Sequence, residues 1–172
     1  MLNARSAKAF AALALFNGVL ILAIHRDIAA ASDISDARKY TEDLKKSKDA
    51  KVRSTALLEL GKLAVVQKAL VSDALPDIYK ALEDKDASIR AAAATCLGQC
   101  DEPTDKVVPL LLKMLKDEKE DSVKIGAAKG LAAMGPEAKA ALPTLRELAS
   151  DKKSPVGKVA GTAVKAIAGK KN

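Results

Sequence analysis

Apolar and small residues return along most of this chain at helical spacing, in a phrase that occurs four times: an apolar residue, usually a basic one, small residues, then an apolar-Gly pair. The copies open at Val52-Arg53, Ile89-Arg90, Val123-Lys124 and Val156-Gly157, so the leading residues are 37, 34 and 33 apart. Within a copy the positions four, eight and eleven residues on are apolar or small, as in Ala56, Leu60, Leu63 and Ala93, Leu97, Cys100. That is one stripe of an amphipathic helix, and small residues in it let a second helix come close. Asp49, Asp86 and Asp121 stand just ahead of three copies, where a carboxylate caps free N–H groups.

A second helix is predicted ahead of each copy. Leu75, Ile78, Leu82, then Val108, Leu111, Leu115, then Leu142, Leu145, Leu148 recur at helical spacing, with Ala37, Tyr40, Leu44 as a more polar first member. Pro76, Pro109 and Pro143 each follow the leading apolar position by one residue. A first helical turn tolerates proline, so three in phase are read as three helix starts. Short connections such as Glu83 to Ser88 make the helices of a pair antiparallel. The fold class is therefore all-α: about four antiparallel helix pairs over residues 35–66, 72–101, 105–135 and 139–168.

The phrase "Asp, two residues, Val-Arg, small residues, Leu-Gly, apolar", following a helix that opens with Leu-Pro, resembles the HEAT repeat. The short variety seen in phycobilisome lyase-like proteins is especially similar, and Met134 to Pro143 is similar to the linkage between such repeats. The resemblance covers residues 35 to 168. The last copy departs from it, with Gly157 in place of the basic residue and Val164-Lys165 in place of Leu-Gly, which marks an end cap. Tetratricopeptide and ankyrin signatures are absent. The resemblance implies an α-solenoid that binds a protein partner, with its second helices lining the concave face. Arg53, Arg90, Lys124 and, one step further on, Lys158 would then run as a row near that face. It also implies that this basic residue pairs with a loop Asp of its own or the next repeat. Lys62, Gln99 and Lys129 are less bound to the repeat pattern, as are Lys51, Glu59, Thr95 and Lys165, and they are candidates for partner contact.

Residues 1–31 have a different character. Arg5 and Lys8 precede an apolar run from Ala9 to Ile24, broken only by Asn17 and Gly18, and Ala29-Ala30-Ala31 follows. Basic start, apolar middle and small end are the parts of a secretory signal cleaved between Ala31 and Ser32. The expected product is a repeat domain of residues 32–172, exported to a periplasmic or extracellular location. The alternative is a retained membrane anchor, for which a run of 16 residues is short against the about 20 a span needs.

Charge and chemistry narrow the function. The formal charge is +7, and it is spread along the chain without a dense arginine run of the kind that tracks phosphates. A solvated surface is the first reading and attraction to an acidic partner the second. The lone histidine, His25, lies in the signal segment, so no Ser-His or Cys-His pair can form in the product. Cys96 and Cys100 fall on core positions one turn apart and read as small buried hydrophobes. Too few ligands remain for a metal site. Neither catalytic residues nor a cofactor is expected, and an accessory lyase-like role has no nucleophile beyond those two cysteines. With Tyr40 and Tyr79 as the product's aromatics, no specific nucleic-acid binding is expected either.

Overall fold

The structure, a computed structural model, describes residues 32–169. The signal-peptide reading of residues 1–31 lies outside the described residues. Helix α1 runs over 32–46, and its residues 37–46 belong to the compact unit Ala37–Asn172. There follow α2 (Ala50–Val66), α3 (Leu75–Ala81), α4 (Ala87–Leu97), α5 (Thr104–Asp117), α6 (Asp121–Met134), α7 (Leu142–Ala149) and α8 (Pro155–Ala168). Three-ten turns over Lys68–Ala74 and Gly135–Ala141 lead into α3 and α7. Among the described residues there is no strand, and the expected all-α class and the stacked helix pairs are found.

Two layers result. The second helices pack on one another in chain order, α2 on α4, α4 on α6 and α6 on α8, and these are the most extensive contacts among α2 to α8. Glycine makes that approach possible. A Cβ on Gly130 would lie 2.3 Å from the Ala94 carbonyl oxygen, and one on Gly126 would lie 2.3 Å from that of Ala91. No rotamer change relieves a clash with backbone, so these positions admit no side chain. The first helices α3, α5 and α7 instead lie against their own second helices and hardly touch one another. The core runs between the layers as one series of Leu, Ile, Val and Ala, with Leu57, Leu60, Ile78, Ile89, Leu97, Leu111, Leu131, Leu145 and Ile167 fully buried.

Two local expectations need correction. Pro76 and Pro143 stand in the first turns of α3 and α7, but Pro109 lies inside α5. In the other two repeats a three-ten turn precedes Leu-Pro, whereas here the chain is α-helical from Thr104, immediately after the extended Pro103. Pro109 has no N–H to give the Asp105 carbonyl, and both Asp105 and Pro109 are exposed to solvent. Asp49 and Asp86 cap α2 and α4, accepting from the N–H of Lys51 and of Ser88 at 2.8 Å. Asp121 does not cap: it is the first residue of α6, with Glu120 ahead of it, and acts only through its charge in the first turn. Ser154 caps α8.

Both ends of the stack are polar in register. Positions three, seven and ten after the leading apolar residue face the preceding repeat, as Cys96 and Gln99 do against Gly61. They are Ala92 and Cys96 in α4 with Gln99 in the turn that follows it, and Gly126, Gly130, Ala133 in α6. In α2 the same places hold Thr55, Glu59 and Lys62, with the last two joined by an ion pair at 2.7 Å. Val52 is accordingly 38% exposed where Ile89 and Val123 are fully buried. Positions two and nine face the following repeat, as Ala91 and Gly98 do, and in α8 they are the exposed Lys158 and Lys165. Charged replacements at the terminal faces are what a repeat stack needs for solubility.

Candidate functional site

The basic row divides when its partners are traced. Arg53 on α2 donates to Asp84 in the α3–α4 loop at 2.6 Å. Arg90 on α4 holds Glu118, at the end of α5, through two bonds of 2.8 and 2.9 Å, and also donates to the Asp84 carbonyl at 2.9 Å. Each arginine therefore pins the loop of the next repeat, in the bidentate manner that suits guanidinium in the second case. Burial pushes the Asp84 carboxyl up, but the Asp86 backbone N–H and Arg53 outweigh it and hold that group below its ordinary range. Hydrogen bonding to Glu118 raises Arg90 further.

Lys124 occupies the third rung, half-buried, and among the described residues no carboxylate comes within 4 Å of it. The acid in register, Asp151, accepts through Oδ1 from the N–H groups of Lys153 and Ser154. In the last repeat Gly157 replaces the basic residue because a Cβ there would lie 1.9 Å from the Asp151 carbonyl oxygen.

The other predicted contact residues lie along the second-helix layer and do not converge on a point. Lys62 is exposed and paired with Glu59. Gln99 is half-buried with its amide oxygen against Gly61. Lys129 and Lys158 are exposed. Thr95 is partly used within the stack, donating to the Ala91 carbonyl at 3.0 Å and approaching that of Gly126 at 3.3 Å. Sequence reasoning missed Leu58, which is 43% exposed and stands six residues after the leading apolar position, in register with Thr95, Lys129 and Thr162. The signal was present, because that position changes character from copy to copy while the one before it, Leu57, Ala94, Ala128 and Gly161, stays apolar or small. It also missed the strut acids Asp84 and Glu118, each five residues before the leading apolar residue.

On the first-helix side the gap between α3 and α5 forms an open recess of about 500 Å³, with Tyr79, Leu82, Leu110 and Met114 on its walls. Little else in the fold offers chemistry. Cys96 and Cys100 are fully buried, with sulfurs 3.9 Å apart, and Cys100 donates to the Cys96 carbonyl. The shared hydrogen bond and burial raise the Cys96 thiol well above its ordinary value, which leaves it a poor nucleophile. Among the described residues no group of three or more His, Cys, Asp or Glu side chains gathers as a metal site would need, and no helix is long and apolar enough to cross a membrane.

No curated protein matches the chain. A family profile described as HEAT repeats matches residues 37–132, from α1 through most of α6. The match, more than half of the chain, and the in-register stacking of its helix pairs place the protein in the HEAT-repeat family.

Proposed function

We propose that the protein is a non-catalytic scaffold that binds a protein partner on the surface of its second helices. One observation carries this reading. The stack presents a continuous sheet of helices whose outward position, at Leu58, Thr95, Lys129 and Thr162, is not used in packing repeat on repeat. Thr95 is the partial exception. A photo-reactive residue placed at Lys129, with one at Lys113 on α5 as the control, tests the reading in cells. Cross-links to a protein from the first position and not the second are expected. Cross-links confined to the second would move the site to the opposite layer and end this reading.

The same proposal places the scaffold outside the cytoplasm, supported by the basic, apolar and small-residue succession over Met1 to Ala31. An uncleaved anchor is the rival, favoured by the apolar run Ala9 to Ile24. The mass of the mature N-terminus separates them: a product beginning near Ser32 is expected, and an intact Met1 in the membrane fraction would establish the anchored form.

A further inference from the structure

Charge that is mixed along the sequence is sorted in space. The four second helices carry eight Lys and Arg against two acidic residues, Glu59 and Asp121. The four first helices, with α1 taken over residues 37–46, carry nine basic residues against six acidic ones. The second helices therefore carry about two-thirds of the helices' excess positive charge, with far fewer acids among their bases. Within that layer the arginines are spent: Arg53 and Arg90 are locked to Asp84 and Glu118. Lys62 is held by Glu59. Lys51, Lys124, Lys129, Lys158 and Lys165 have no carboxylate within 4 Å among the described residues, and all but Lys124 are exposed.

Resting on the scaffold reading, we infer that the second-helix layer recognises an acidic protein surface, centred on α6 and on the terminal face of α8, where Lys124, Lys129, Lys158 and Lys165 are matched by a single helical acid, Asp121. The composition of the layer favours protein over nucleic acid. Its free cations are ammonium groups, which meet single carboxylates as point charges, and no free guanidinium remains to grip phosphate in two-point fashion. It also lacks an aromatic on which a base could stack, since Tyr40 and Tyr79 both belong to first helices. The exposed Leu58 and the half-buried Ile125 add apolar contact beside the charges. The partner segment is thus acidic with interspersed apolar residues, and steering by the lysine field speeds its arrival.

The test uses the full chain and three probes: a helical peptide rich in Glu and Leu, its Gln counterpart, and a short DNA duplex. Binding of the Glu peptide is measured for the native chain, for Lys129→Glu with Lys158→Glu, and for Lys106→Glu with Lys113→Glu on α5. All four lysines are exposed, and circular dichroism checks the fold of each variant. The native chain should hold the Glu peptide and release it as salt rises. The α6–α8 pair should weaken binding about tenfold or more, and the α5 pair should not. Equal losses from both pairs, equal affinity for the Gln peptide, or duplex DNA bound more tightly than the peptide through the same lysines would each overturn the inference. Cross-links from the photo-reactive residue at position 129 that survive Lys158→Glu with Lys165→Glu would leave the scaffold reading standing and remove only its acidic partner. Cross-links absent from both layers of the native chain would remove the two together.

Discussion

At the scale of single residues, what sets this stack is how near two backbones may come and which charges are tied across repeats. The glycines make a controlled comparison. A Cβ at Gly98 would lie 2.1 Å from the Gly130 carbonyl oxygen, whereas one at Gly161 meets nothing nearer than Ala149 at 3.9 Å. Gly98→Ala is therefore expected to lower stability by about 1–3 kcal/mol by forcing α4 from α6, and Gly161→Ala to raise it by up to about 1 kcal/mol through helix propensity. Thermal melts of the two variants decide the matter. The struts give a second comparison. Arg90→Ala strands Glu118, which is about one-fifth exposed, at a cost of about 1–3 kcal/mol. Lys124→Arg, reaching the unpaired third rung, should add less than about 1 kcal/mol. Because the folded Asp84 carboxyl is held below its unfolded value, its contribution is present at neutral pH and lost as pH falls through the carboxylate range. The acid side of the native stability profile should flatten in Arg53→Met. The repeat spacing disclosed where such residues recur, but not that each arginine reaches forward to the next repeat, because two acids compete for it locally and only the packed loops choose between them.

At the scale of the element, periodicity told more about where helices lie than about where they begin. The three phased prolines implied three equal starts, and two of them are. Pro109 is not, because a helix start depends on what precedes it: a three-ten turn in two repeats and an extended Pro103 in the third. A proline inside a helix can survive where its orphaned carbonyl meets water, and nothing in the local composition announces that exposure. Pro109→Ala should consequently stabilise α5 by about 1 kcal/mol or more by restoring the bond to the Asp105 carbonyl, while Pro143→Ala in the first turn of α7 should change little. Hydrogen exchange along α5 and along α7 reads the two effects. The caps follow the same rule, with Asp49 and Asp86 legible as side chains ahead of a helix and Asp121 displaced by one residue through the acid before it.

At the scale of the whole repeat unit, the ends and the faces acquire separate meanings. Small residues at the inner interfaces give way to Glu59 and Lys62 at one end and to Lys158 and Lys165 at the other. These charges oppose the head-to-tail stacking that bare interfaces would invite. Replacing Glu59 and Lys62 with Ala, together with Lys158→Ala and Lys165→Gly, should produce association that grows with concentration, measured by sedimentation, while the native chain stays unchanged. The sorting of charge between layers could not be read from sequence, since acids and bases alternate along the chain and separate only when first and second helices are assigned to opposite sides. The direct measurement of the account is hydrogen exchange of the chain with its cross-linked partner bound. Protection confined to α2, α4, α6 and α8 is the predicted result. Protection confined to α3, α5 and α7 would contradict it.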